Sequence, residues 1–447
     1  MSTTIPTPAD VVVLHDDTAL ARATMRRVSM RILPFLLVLF VCNYVDRANI
    51  GIAALQMNGD LGLSASAYGF GAGIFFVGYA LFEVPSNLAL ARFGARRWIA
   101  RIVITWGLVA AALAFVRTGT QFAALRFLLG AAEAGFFPGI IYYLSLWYPA
   151  SLRARSYSRF IVAVPIAALV GNPLGGWLLG FDRVLGLRGW QWLFLLEGIA
   201  SVGLGLATLR LLTDRPADAR WLSAGQRDWL AARIRRDEDA SAAPRGTEHG
   251  APLRALAQPT VLLAAVMYFL PAVGFWGYLY WSPLVVRDAL HASPVATGLI
   301  TGAMGCAAAL AILAVGASSD RTGDRWRHMI GSLSVMGLGY LGAALLPWPA
   351  ARVASLALVL IGDQTFVVVF WCLPSTILRG SAAAAAIAFI NSFGNLGGLV
   401  GPYLIGRFKD ATGGTTAAFL LLAVPSLVAA ALCLVLRRRF RTSAAER

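Results

Sequence analysis

Apolar residues along the chain gather into twelve long blocks separated by polar stretches: 32–57, 68–90, 98–116, 122–146, 157–181 and 189–212, then 260–284, 297–318, 329–346, 353–374, 382–405 and 416–436. A helix rises about 1.5 Å per residue, so roughly twenty such residues cross the hydrocarbon layer of a bilayer. The pattern predicts an all-α polytopic membrane protein with twelve transmembrane helices in two halves of six. The expected organisation is a tail over 1–29, a first half over 30–212, a charged linker over 213–258, a second half over 259–436 and a tail over 437–447. Within the linker, Ser223 followed by Gln226 reads as a capping box, and Trp229, Leu230 and Ile234 line one side of a short surface helix. The apolar run 11–14 lies between Asp10 and Asp16 and is too short for a signal-peptide core.

Composition narrows the class further. With 58% hydrophobic residues, 13% charged residues and a mean hydropathy of +0.69, the chain does not read as a soluble core. The net charge of +16 would suit a nucleic-acid binder, but its distribution gives a simpler reason. Of 38 Lys and Arg, segments assigned to the cytoplasm carry 29, counting Arg101, Arg159 and Arg210 at the cytoplasmic ends of their blocks, those assigned outside carry 7, and Arg47 and Arg126 remain. That asymmetry is the positive-inside rule. It predicts a multi-pass protein of a bacterial-type inner (plasma) membrane with both termini cytoplasmic, whose surface partner is lipid and not nucleic acid; a monomer is expected, without a sequence signal that fixes it.

Cys42, Cys306, Cys372 and Cys433 fall in the apolar blocks without a CxxC pair, so neither a disulfide framework nor a metal set is expected. The four histidines fall in tails and loops, which leaves proton work within the membrane to carboxylates. No constellation of nucleophile, base and orienting group stands in the blocks, so no enzyme and no cofactor are expected.

An internal repeat is legible. Arg92-Phe93-Gly94 and Arg321-Thr322-Gly323 are offset by 229 residues, and so are Pro173 and Pro402. One offset for several landmarks implies two similar halves with a binding site at their interface.

The chemistry is expected in the first block, where NYVDRANIG sets Asp46 beside Arg47 in apolar surroundings. A charge at mid-membrane costs about 2.5–3.5 kcal/mol on insertion scales, so this pair should face protein or a water-filled cavity. Counting along the helices puts Arg126 roughly 10 Å below the outer surface, near the level of Asp46, with Glu133 two turns deeper. An Asp46–Arg126 contact is therefore expected.

Gly316 to Arg325, read GASSDRTGDR, resembles the GxxxDRxGxR cytoplasmic loop of the major facilitator superfamily, which implies a conformational latch using Asp320 and Arg321, with Arg92 in the first half. The first-half copy departs from it, with Asn87 and Ala91 at the Gly and Asp positions. NYVDRANIG, RFLLGAAEAGFFPG from Arg126 and WQWLFLLEG from Trp190 resemble the anion:cation symporter family within that superfamily. Phe370 to Pro374, and Ile390 onward through Asn391 and Asn395, look most like its tartrate and aromatic-carboxylate branches.

That resemblance implies proton-coupled import of a small organic acid anion. Arg47 is assigned the anion, Glu133 the principal proton, and Asp46 a coupling role with Arg126. Substrate contacts are assigned to Tyr44, Tyr79, Trp371, Asn391 and Asn395. Block five, from 161 to 170, has no hydrogen-bonding side chain, which favours a tartrate-like hydroxy-dicarboxylate, or an aromatic carboxylate of phthalate or hydroxyphenylacetate type, over a long polyhydroxylated acid. Glu83 and Glu197 are read as structural, and Asp363 has no assigned role. A drug/proton antiporter and a transporter-like ligand sensor remain as alternatives.

Overall fold

The chain is described by a computed structural model over residues 8–153, 156, 163–241, 258–372 and 380–445. Among these residues all regular structure is helical. The first half comprises α1 (Pro8–Asp60), α2 (Ala65–Phe93), α3 (Ala95–Leu113), α4 (Gly119–Glu133), α5 (Phe136–Trp147), α6 (Ala163–Leu178) and α7 (Gly189–Leu211). A linker helix α8 (Ala224–Ser241) follows. The second half comprises α9 (Pro259–Leu290), α10 (Pro294–Thr322), α11 (Arg325–Leu345), α12 (Pro349–Phe370), α13 (Gly380–Asn395), α14 (Gly397–Thr412) and α15 (Thr416–Ala445). Nine stretches among the described residues are long and apolar enough to cross a membrane, with α4 and α5 counted together.

Two of the expected spans are divided. Block four breaks after Glu133: Ala134 turns to φ −56°, ψ 132° and Gly135 takes φ +83° as the N-cap of α5. Only glycine adopts that φ without strain, and Pro138, third in α5, needs no amide partner there. Block eleven is interrupted at Leu396, between α13 and α14. The linker prediction holds: Ser223 N donates to Gln226 Oε1 at 3.1 Å, Gln226 N donates to Ser223 Oγ at 3.3 Å, and Leu230 and Ile234 are buried.

The halves meet along two seams where glycine lies against backbone. On α2, Gly69 abuts the Pro402 carbonyl and Gly73 lies against Leu399 of α14, while Gly406 of α14 meets the carbonyl of Ala65. On α10, Gly298 abuts the Asn172 carbonyl and Gly302 stands against the Pro173 ring of α6, while Gly176 of α6 meets the carbonyl of Pro294. Gly69 and Gly298, Gly73 and Gly302, and Ala65 and Pro294 each differ by the 229 residues of the sequence repeat. Small residues let helix backbones approach closely in a membrane, and the repeat uses this device twice.

Both seams lie toward the end of the molecule that carries Asp60. Cross-half hydrogen bonds reinforce that end: Tyr68 Oη donates to the Tyr280 carbonyl at 2.8 Å, and Arg287 Nη1 donates to the Leu55 carbonyl at 2.8 Å. Asp410 accepts from the backbone amides of Ala65 and Ser66, at 2.9 and 2.8 Å, and so caps α2 from the other half. Toward the linker end, the described residues supply one cross-half side-chain bond, from Ser392 Oγ to Glu83 Oε2 at 3.1 Å.

Candidate functional site

The 3.6-residue period of α1 gives the NYVDRANIG segment three faces. Asn43 and Arg47, four residues apart, point toward α4; Cys42, Asp46 and Asn49 point toward α7 and α3; Tyr44 points into the space between the halves.

On the first face, Glu133 Oε2 accepts from Arg47 Nε at 2.7 Å and from Asn43 Nδ2 at 2.8 Å. The guanidinium lies over Tyr79 at 4.8 Å and Phe75 at 5.2 Å from the ring centroids, a cation–π seat that fixes its plane. Glu133 is fully buried, whereas the Arg47 side chain remains 15% exposed. Arg47 Nη2 and Glu133 Oε1 have no hydrogen-bond partner. The pair thus satisfies one donor and one acceptor and keeps others in reserve. Glu133 ends α4, so the break at Gly135 places this carboxylate where the helix stops.

The expected Asp46–Arg126 contact is not made. Asp46 Oδ2 accepts from Trp106 Nε1 at 2.7 Å and from Ser201 Oγ at 2.8 Å. The depth count gave the right level, but Asp46 is turned about 100° round the helix from Arg47 and away from α4. Arg126 is wholly buried and has no acid partner among the described residues. Its Nη2 donates to the Ala72 carbonyl at 3.0 Å and reaches the Tyr280 hydroxyl at 3.5 Å, and its guanidinium is 4.9 Å from the Phe75 ring. Nε and Nη1 are left without partners. Phe75 therefore serves both arginines.

A cavity with about 570 Å³ of empty space, open solvent at its mouth included, lies between α1 and α6 on one side and α9, α10 and α12 on the other. Tyr44, Asn172, Tyr278, Ser282, Thr301 and Gln364 supply its polar wall; Phe275, Leu279 and Ile312 supply apolar surface. Of the predicted contacts, Tyr44 lines this cavity; Arg47 is not part of its wall, and Tyr79 lies under Arg47. Trp371 does not line it and packs edge-on against Tyr268 and Phe370, with centroids 5.1 and 5.5 Å away. Asn391 and Asn395 are half-buried on α13, on either side of Ser392, and also stand outside the cavity wall. Asn172 supplies block five with the hydrogen-bonding side chain that 161–170 lacks; its place beside Pro173 was the available signal. Phe75, Trp106, Ser201 and Tyr280 carried none, because each reads as an ordinary membrane-helix residue.

The expected latch is not assembled. Asp320, Arg321 and Arg92 are exposed and form no ion pair among the described residues; Arg92 instead lies 5.6 Å from the Phe93 ring. Asp324 Oδ1 accepts from Arg327 N to cap α11, and its other oxygen pairs with Arg437. In the first half Asp214 accepts from Arg96 N at 2.8 Å, so a linker residue caps α3 where the loop copy lacks its acid.

A family model described as the Major Facilitator Superfamily matches residues 36–381 and 264–447. Two proteins of Agrobacterium vitis that carry the provisional name tartrate transporter are 43% and 44% identical to the chain, over 96% and 93% of it and 94% of each of them. A quinolone resistance transporter of Acinetobacter baumannii is 40% identical, over 90% of the chain and 92% of its own length. Among solved structures, a D-xylose–proton symporter superposes with a TM-score of 0.73 at 17% identity, covering 90% of this chain and 97% of that one.

Proposed function

The chain belongs to the major facilitator superfamily and is a multi-pass membrane transporter, not an enzyme; from that premise we propose that it is a proton-coupled symporter importing a small organic acid anion by alternating access, with a tartrate-like hydroxy-dicarboxylate as the favoured cargo. The observation that carries this reading is the Arg47–Glu133 pair. An internal carboxylate occupies Arg47 in the empty protein, so an incoming carboxylate competes with Glu133 for the same guanidinium. A proton on Glu133 ends that competition. Anion and proton then enter together, and the proton on Glu133 balances the one carboxylate that Arg47 takes up.

Arg126 supports a dianionic cargo. A buried guanidinium with two unpartnered nitrogens and no acid beside it carries positive charge that no described residue balances. Because both arginines rest on Phe75, movement of α2 during the transport cycle shifts both together. The names of the two Agrobacterium relatives point the same way.

With the Asp60 end outside, as the charge asymmetry predicts, the glycine seams and the Asp410 cap close the outer side and the unassembled latch leaves the inner side free. In this reading the protein is a monomer that faces inward, with both termini in the cytoplasm of the plasma membrane. A second cargo class is favoured by the cavity, whose Tyr44, Phe275 and Tyr278 would stack on an aryl acid, and by the quinolone relative, since quinolones are aromatic carboxylic acids.

Purified protein in proteoliposomes, offered hydroxy-dicarboxylates, benzoate-type acids and a quinolone with and without an inward proton gradient, tests the whole reading. Gradient-stimulated accumulation of a dicarboxylate is expected. Accumulation indifferent to the gradient would remove the coupling, and failure to move any acid would remove the cargo class.

A further inference from the structure

The second face of α1 meets α7 in a ladder of polar side chains. Cys42 Sγ lies 3.2 Å from Ser201 Oγ, Asp46 Oδ2 accepts from Ser201 Oγ at 2.8 Å, and Asn49 Nδ2 donates to Glu197 Oε2 at 2.5 Å. Asp46 and Asn49 share one stripe of α1, and Glu197 and Ser201 share one stripe of α7, so in this antiparallel pair the two carboxylates occupy adjacent rungs. Trp106 of α3 closes the ladder with its 2.7 Å bond to Asp46. Asp46 is 1% exposed, Glu197 6%, and Ser201 and Trp106 are wholly buried.

Among the described residues no cation reaches this ladder. Arg47, the neighbour of Asp46 in sequence, is turned to Glu133, and Arg126 of α4 is turned to Ala72 and Tyr280. On α3, Arg101 stacks on Trp98 at 4.0 Å, and α6 offers no titratable residue over Ala163–Leu178. Tyr280 is the phenol that α9 brings near Arg126, and the remaining charged group facing the ladder from α4 is Glu133, itself an acid. Asp46 Oδ1 and Glu197 Oε1 are both without partners. Two carboxylates on adjacent rungs of a buried ladder, with no positive charge between them, cannot both be ionised at acceptable cost; like aspartic dyads, such pairs titrate as a unit.

We infer that Asp46 and Glu197 form a single proton-binding unit in the wall of the first half, separate from the Arg47–Glu133 pair, in which Glu197 sets the pH at which Asp46 gives up its proton. The proton binds a carboxylate oxygen on one rung and leaves the neighbouring carboxyl to take hydrogen bonds from Asn49 or from Ser201 and Trp106. Glu197 thereby acquires a function that its position off the cavity conceals, and the inference rests on the proton-symport reading above.

Uptake in proteoliposomes measured across pH 5 to 9 separates the two claims. Whether the unaltered protein responds to a proton gradient decides the symport reading by itself. Given that response, Glu197→Gln, which keeps the acceptor for Asn49 and removes the second acid, should move the alkaline limb of the uptake profile toward acid by about one pH unit, the scale on which a neighbouring like charge acts. Ser201→Ala, which takes a donor from Asp46, should move the same limb toward alkali. The KM for the acid at saturating proton concentration should stay within about twofold in both, since neither residue touches the cavity. A Glu197→Gln profile that superimposes on the unaltered one overturns the inference and makes Glu197 a packing residue. If Glu197→Gln does not reach the membrane, an unshifted Ser201→Ala profile overturns it in the same way.

Discussion

Arg47 and Glu133 join α1 to the broken end of α4 through one 2.7 Å contact in which the acid is enclosed and the base keeps 15% of its side chain exposed. An enclosed acid that releases its arginine only when protonated predicts a specific split on Glu133→Gln. Counterflow exchange of the acid should persist, while accumulation driven by a pH gradient should fall at least about tenfold, the loss expected of a group that carries the transferred proton. Paired counterflow and gradient measurements on one preparation check this, and equal loss of both would show that Glu133 only supports the fold.

Removing the base has a different consequence. Arg47→Gln leaves Glu133 buried without its counter-charge, a defect that costs about 3–5 kcal/mol in comparable pairs. The variant should lose acid binding and show a lowered thermal transition, and the double variant Arg47→Gln/Glu133→Gln should recover the stability without recovering uptake. Thermal unfolding of both in detergent is the measurement.

Asp410 gives a prediction about the outer closure, and its sign can be worked through. Slight desolvation pushes the exposed Asp410 carboxyl up, but the hydrogen bonds from the side chain and backbone of Ser66, from Ala65 and from Ser64 outweigh that and hold it below the ordinary aspartate value. Closure is therefore fully supported above an aspartate's usual pKa of about 3.9 and weakens only as the outside pH falls below that. Between pH 5 and 9 Asp410 contributes a constant amount, so the pH dependence of uptake in that window belongs to other groups. Asp410→Asn should raise labelling of a Thr301→Cys reporter, in a background free of the native cysteines, from the Asp60 side by roughly fivefold, the population change that follows loss of a helix N-cap. Unchanged labelling would show that the glycine seams alone hold the closure.

Cavity shape separates the two cargo classes. Ala309 lines the wall beside Thr301 and Ile312, and Ala309→Phe would fill part of the space next to Tyr278. Uptake of benzoate-type acids should fall by an order of magnitude or more, as overpacked pockets lose about 1–3 kcal/mol of fit, while a four-carbon hydroxy-dicarboxylate should be spared. Competition assays with both acids read this out directly, and loss of both to the same degree would count against the cavity as the discriminating surface.

Hydropathy and the 229-residue offset carried most of the architecture, because bilayer thickness and close helix approach impose length and glycine on a sequence directly. The offset could have been extended to Gly69 and Gly298, whose equivalent contacts on the Pro402 and Asn172 carbonyls are the structural form of the repeat. The break between α4 and α5 was missed because apolar count is blind to dihedral angle, although Gly135 followed by Pro138 marks such a break. At the site, residue types and depth were legible but azimuth was not. Arg47 and Glu133 are legible singly but not as a pair, and the depth count gives Asp46 the wrong partner, since a one-residue step round α1 decides which neighbour an acid meets. The cavity wall is drawn from five helices of both halves, and no local pattern announces such an assembly. The 373–379 segment, which includes the Pro374 of the second-half motif, lies outside the described residues.

The two seams have a consequence for how the molecule could change shape. Where glycine meets main chain, few long side chains have to find new rotamers as the surfaces part, so separation carries little conformational penalty and depends instead on a handful of directional bonds. Tyr68, Arg287 and Asp410 are then the clasps of an otherwise smooth hinge, and the speed at which this carrier resets should follow their number more closely than the area they help to cover.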